Sequence, residues 1–113
     1  MEEKVVKVQV KSIAQSPLKL RLVVDTVRGK SVEDALAILS ILRKKGTETV
    51  SKAILSGVAN AREIYSVDKG DLVVNKVTVD EARTLKRTRF GSRGRVSRID
   101  KRRSHINLEL KVK

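Results

Sequence analysis

The sequence has no cysteine, which excludes disulfides, thiolate zinc sites and a cysteine nucleophile. Aromatic residues are almost absent as well. One Phe, one Tyr and no Trp make up 2% of the chain, so any core must be aliphatic, built from Val, Leu, Ile and Ala. No apolar run approaches the roughly 20 residues that a membrane span requires. The N-terminus, Met1-Glu2-Glu3-Lys4, is acidic and has no apolar signal core, so the chain is expected to be soluble and to work where it is made. Acid is scarce: 13 Asp plus Glu stand against 26 Lys plus Arg.

What is present is charge of one sign. The formal net charge is +13 and the sequence pI about 10.5. Such an excess repels itself in a compact state unless a polyanion neutralises it. Nucleic acid is the first partner to consider, because every neutralised phosphate releases condensed counterions. At 113 residues, 40% of them hydrophobic, the chain suits a single domain with a modest core that a partner could help to stabilise.

The order of elements follows from periodicity. Val6, Val8 and Val10 alternate with Lys7, Gln9 and Lys11, which predicts a half-buried strand with a basic outer face. Ser16-Pro17 marks a helix start, followed by the stripe Leu20, Val23, Val24 and Val27, with Gly29 as the expected C-cap. Ser31 opens a second helix with the stripe Leu36, Leu39 and Leu42, widened by Ala35 and Ile38 and ending at Lys44-Lys45-Gly46. Thr47 is expected to cap a third, longer helix whose stripe is Val50, Ile54, Val58, Ala61 and Tyr65. Its small residues Ala53, Gly57 and Ala61 would admit another element close to its backbone. After turn chemistry at Asp68-Lys69-Gly70-Asp71, Val73, Val77 and Val79 are expected to share one strand face, interrupted at Asn75. At the far end, Ile106, Leu108, Leu110 and Val112 alternate with polar residues.

Between these two strands lie Arg83, Lys86, Arg87, Arg89, Arg93, Arg95, Arg98, Lys101, Arg102 and Arg103, with Asp100 as the only acid. Most charge runs are merely solvated loops. Here strands bracket the run, and if Val79 pairs near Ile106 the midpoint falls between Ser92 and Arg93, flanked by Gly91 and Gly94 as a tight turn requires. Basic residues alternate onto both sides of the hairpin, which suits an arm surrounded by phosphate. About 13 residues at ~3.3 Å each reach roughly 40 Å, and an isolated ribbon of that kind is marginal in water unless bound. Phe90, beside the tip, could stack on a base or cover local backbone. Lys11, Lys19, Arg21, Lys44 and Lys45 are further RNA-contact candidates on the body.

On these residues the sequence resembles the family of large-subunit ribosomal protein twenty-two. The matching positions are Ser16-Pro17, Lys19, Arg21-Leu22-Val23-Val24-Asp25, Arg28-Gly29-Lys30, Asn60-Ala61, Val79-Asp80-Glu81, Lys86-Arg87, Gly94-Arg95, Lys101-Arg102 and Ser104-His105-Ile106. Departures are Ala82-Arg83 in place of Gly-Pro, Leu18 where a basic residue is common, and the tip Thr88-Arg89-Phe90-Gly91-Ser92. The resemblance implies an α+β fold: three helices packed on a small antiparallel sheet, with a long protruding β-hairpin. It implies one domain, 1–113, with a body of 1–80 and 105–113 and an arm of 81–104. It also implies a cytoplasmic, ribosome-bound monomer without cofactor or metal, contacting 23S-type large-subunit rRNA, neighbouring large-subunit proteins and the nascent peptide. Ser16, Ser104 and His105 join the rRNA-contact set through it. Thr88, Arg89, Phe90, Gly91, Ser92, Arg93 and Gly94 would then line the exit tunnel.

Catalytic readings have little support. His105 neighbours Ser104, but adjacent strand residues point to opposite faces. The acid pairs Glu33/Asp34, Asp68/Asp71 and Asp80/Glu81 sit at a helix start, a turn and a strand end, each with a local structural reason, so a metal-dependent nuclease site is not expected. Gly91-Ser92-Arg93-Gly94 lacks the strand-to-helix context of a phosphate loop. The alternative function is an architectural DNA-binding protein with a β-ribbon arm. Such arms usually carry an apolar wedge, often Pro, whereas the only Pro here is Pro17. Membrane-surface binding is disfavoured because the charge lies on a ribbon rather than on an amphipathic helix.

Overall fold

The computed structural model describes residues 4–113 except Ala14, Arg43, Lys45, 83–84, 91–95 and Arg102; for Ser12, 85–90 and 96–101 it describes the backbone. The elements are β1 (Val5–Ile13), α1 (Pro17–Asp25), α2 (Val32–Ile41), α3 (Thr47–Tyr65), a 3-10 turn at Lys69–Asp71, β2 (Leu72–Glu81), β3 (Leu85–Phe90), β4 (Val96–Lys101) and β5 (Ser104–Val112). The body is a three-stranded antiparallel sheet of order β1-β5-β2 with the helices on one face. β3 and β4 form a separate two-stranded antiparallel ribbon. The molecule measures 65 × 28 × 19 Å, elongated by that ribbon.

The helices begin where their caps dictate. The Ser16 hydroxyl accepts from the Lys19 N–H at 3.4 Å and Pro17 occupies the first turn, where its missing N–H costs nothing. Leu20, Val23, Val24 and Val27 are all fully buried, as their spacing predicts. The helix stops at Asp25, however, four residues before the glycine expected to cap it. Gly29 instead sits in the following turn at φ +77°, donating its N–H to the Val74 carbonyl of β2. In α2, Ser31 caps through the Asp34 N–H at 3.2 Å, and Val32, Ala35 and Leu39 carry the buried face. Leu36 and Leu42 are half-buried, and the helix ends at Ile41, ahead of Lys44.

Gly46 rather than Thr47 is the N-cap of α3, with a left-handed φ of +100°. A Cβ there would sit 2.8 Å from both Leu20 Cδ2 and Gln15 Oε1, so conformation and space both require glycine. α3 buries Val50, Ala53, Ile54, Gly57, Val58 and Ala61 against β1 and β5. The close approach expected at its small residues is realised at Gly57, where an added Cβ would lie 2.6 Å from Leu110 Cδ1 and 3.2 Å from Val8 Cγ2.

Two departures from simple alternation shape the sheet. The residues of β2 that face the core are Leu72, Val74, Val77 and Val79, while Val73 is only half-buried. The cause is a bulge: the β2–β5 register shifts between Val74 and Lys76, so Asn75 is the extra residue. One inserted residue moves the core face from even to odd positions. β1 has a similar irregularity between Val10 and Ile13. On β5 the alternation is unbroken, with Ile106, Leu108 and Leu110 buried and Val112 at the rim.

β2 is an edge strand, and edges are liabilities unless covered. Its outer side is closed along most of its length. Val74 exchanges hydrogen bonds with the Gly29 N–H (3.1 Å) and the Lys30 carbonyl (2.8 Å). Arg28 Nη2 donates to the Val77 carbonyl at 2.8 Å, and Arg21 donates to the Val79 carbonyl from Nη2 at 3.0 Å and Nε at 3.3 Å. Two arginines seven residues apart thus hold two alternate carbonyls. Replacing either with Met is expected to lower stability by about 1 kcal/mol, the net worth of a partly exposed hydrogen bond. Urea unfolding midpoints would show it, and an unchanged midpoint for both variants would remove the clamp from the account.

Candidate nucleic-acid interface

Val79 pairs with Ile106, the register expected from the sequence, and the body ladder continues to Glu81↔Ser104. One more hydrogen bond follows, from the Ala82 N–H to the Arg103 carbonyl at 2.9 Å. The ribbon then runs in a different register. Paired residue numbers sum to 185 at Val79↔Ile106 and to 186 at Leu85↔Lys101, so the ribbon is offset by one residue from the body. Its last pair is Phe90↔Val96, which centres the intervening segment on residue 93. The expected turn at Gly91–Gly94 lies outside the described residues.

The offset keeps like charges apart in the described pairs. Continuing the body register would make Arg87 and Arg98 direct partners, and like charges directly opposite destabilise a ladder. In the observed register Arg87 partners Ile99, Thr88 partners Arg98, Arg89 partners Ser97 and Leu85 partners Lys101. Lys86 partners Asp100, the single acid of the segment. None of the six pairs joins two cations. A strongly basic ribbon therefore keeps a hydrogen-bonded ladder while carrying its positive charge.

The body candidates gather at the root of the ribbon. Ser104, expected among the RNA contacts, is instead fully buried, and its hydroxyl donates to the Gln15 carbonyl at 2.6 Å. That bond ties the start of β5 to the residue preceding the α1 cap. Ser104→Ala would leave this carbonyl without its partner and is expected to cost about 1–2 kcal/mol, read by thermal unfolding, without changing the salt dependence of RNA binding. A large loss of RNA affinity in a fully folded Ser104→Ala protein would restore it to the interface.

Lys19 and Arg21 are exposed on the first turns of α1, with Arg21 also held to Val79 two residues from the end of β2. Lys44 is exposed, and its carbonyl accepts from Thr47 Oγ1 at 3.1 Å in the turn whose Gly46 abuts Gln15 and Leu20. Gln15, Leu20, Gly46 and Ser104 thus meet at one corner of the body, at the start of β5. Ser16 contributes its cap to this corner. Arg103 and His105 are half-buried, with His105 in register with Asp80, and Lys11 is exposed on β1. Lys86, Arg87, Thr88, Arg89, Phe90, Arg98 and Lys101 are placed on the ribbon by register alone. Lys45, Arg83, Gly91, Ser92, Arg93, Gly94, Arg95 and Arg102 lie outside the described residues.

Sequence reasoning missed two residues that organise this corner. Gln15 receives the Ser104 bond and has a buried side-chain oxygen beside Gly46. Arg28 supplies the second edge clamp. Its seven-residue spacing from Arg21 was the available signal for Arg28; nothing local marks Gln15. Among the described residues, no group of three or more His, Cys, Asp or Glu is arranged to hold a metal, and no helix is long and apolar enough to cross a membrane.

A basic helix-on-sheet body bearing a charge-spaced β-ribbon places the molecule among α+β scaffold proteins with a protruding arm. The family described as Ribosomal protein L22p/L17e matches residues 8–111, and the chain belongs to that family. It is therefore a structural constituent of the ribosome. Two relatives named large ribosomal subunit protein uL22, from Desulfitobacterium hafniense strains Y51 and DSM 10664 / DCB-2, are each 48% identical over 104 residues, spanning 88% of this chain and 91% of theirs.

Proposed function

We propose that this protein binds and organises large-subunit rRNA of the 23S type during assembly of the large ribosomal subunit, in the cytoplasm, as a monomer within the particle. The observation that carries the reading is the ribbon: ten cations to one acid between Arg83 and Arg103, on a ladder whose six described pairs set no two cations opposite one another. The Lys19–Arg21–Lys44 corner at its root extends the positive surface onto the body. The arm threads between RNA segments, with Arg and Lys on phosphates, and recognition comes from the shape of folded RNA rather than from base edges. Its tip, Thr88 to Gly94, lines the nascent-peptide exit tunnel, and the body contacts neighbouring large-subunit proteins.

Binding of a 23S rRNA fragment, measured between 50 and 200 mM salt, tests this reading. A protein making about 6–10 phosphate contacts loses roughly 10³–10⁵ in affinity over that range. The protein is also expected to remain with the large subunit through a high-salt wash of assembled particles. A shallow salt slope together with release in the wash would overturn the proposal.

A further inference from the structure

The two edges of the body sheet are treated differently. The β2 edge is closed by Arg21, Arg28 and the Gly29–Lys30 turn. On β1 the Lys4 carbonyl accepts from the Val112 N–H at 2.9 Å, so Lys4 turns its main-chain groups toward β5, as do Val6, Val8 and Val10 in the same register. Those of Val5, Lys7 and Gln9 turn outward. Tyr65 donates its hydroxyl to the Val5 carbonyl at 3.2 Å. Among the described residues nothing takes the outward N–H or C=O of Lys7 or Gln9.

The two faces flanking this edge differ in chemistry. On the helix side Val8 and Val10 remain half-buried at the rim of the core, whereas Val6 is 4% exposed. On the open side Lys7 and Lys11 are exposed. We propose that the outer edge of β1, from Lys7 to Lys11, accepts an extended segment of a partner protein as a fourth strand, with apolar residues alternating with acidic ones. The apolar positions would cover Val8 and Val10 and complete the core edge; the acidic ones would lie beside Lys7 and Lys11 as cross-strand partners. Phosphate could accept from the two amides, but it would leave both carbonyls without donors and the valines uncovered. The chemistry of the edge therefore favours a peptide over RNA.

The test uses the full chain and an eight-residue peptide alternating Val and Glu, followed by amide hydrogen exchange. The Lys7 and Gln9 amides are expected to exchange freely in the unbound protein and at least about tenfold more slowly with saturating peptide. Two peptides N-methylated on opposite alternating sets supply the second readout. One should bind roughly tenfold or more weakly for each backbone hydrogen bond it loses, and the other should bind like the parent. Equal binding of both methylated peptides would mean that charge alone attracts them and would overturn the proposal. Protection of Lys7 and Gln9 by an rRNA fragment but not by peptide would overturn it as well.

Discussion

Reversing charge at Arg87, Arg98 and Arg102 together, each to Glu, is expected to abolish incorporation of the protein into large subunits. Each reversal removes a cation from the ribbon and adds an anion that RNA repels. Losing three phosphate contacts should lower the salt slope of rRNA-fragment binding by about three and the low-salt affinity by roughly 10³ or more. The register makes the experiment clean. Arg87 partners Ile99 and Arg98 partners Thr88, so neither reversal sets two acids opposite one another in the ribbon. The body sheet is separate from the β3–β4 ladder, so the thermal transition of the variant should match that of the parent. Subunits purified from cells carrying a tagged copy provide the readout. Normal occupancy by the triple variant would remove the arm from the binding account.

The second large effect concerns the body. Gly57→Leu is expected to destabilise the fold by about 2 kcal/mol or more, a shift of roughly 10 °C in melting temperature. Leucine is the better helix former by about 1 kcal/mol, but the site has no room for it. A Cβ alone would lie 2.6 Å from Leu110 Cδ1, and Leu110 is fully buried. Overpacking of that kind costs about 1–3 kcal/mol and sometimes more, and four added carbons place this site at the upper end. Gly57→Ala asks only that the end of Leu110 and Val8 Cγ2 move, so it should fall between wild type and Gly57→Leu. A Gly57→Leu protein as stable as the parent would mean that α3 does not sit this close to the sheet.

Much of the fold was legible because it rests on local periodicity. The α1 stripe, the Ser16 and Ser31 caps, the β5 alternation and the Val79–Ile106 pairing all follow from spacings within one element or from hairpin symmetry. What escaped depends on partners distant in sequence. The Asn75 bulge reverses which β2 residues are buried, and only the strand across from it fixes its position. The one-residue slip of the ribbon shows only in how β3 pairs with β4. Gly29 does not cap α1 as its place after the apolar stripe suggests, because its left-handed conformation serves a bond to Val74 instead. Of the candidate site, the cations of the body could be named from charge alone. Ser104 could not be assigned to the interior without knowing that Gln15 lies above it.

The strand order has a consequence for how the protein is made. β5, the last of the described elements, is the middle strand, and β1 and β2 pair with it rather than with each other. During synthesis β1, the helices and β2 emerge first, followed by the entire ribbon, while the position at the centre of the sheet stays empty. Only when Ser104–Val112 arrives can the two waiting strands be joined and the apolar face of α3 be closed over Leu110. Pairings of such long sequence separation form slowly. The most basic segment is therefore exposed before its body has finished folding, and on the proposed function RNA would meet the arm of a chain whose core is still open. A nascent chain stopped short of β5 should be protease-sensitive throughout, and release of the last strand should convert it to the resistant form in a single step.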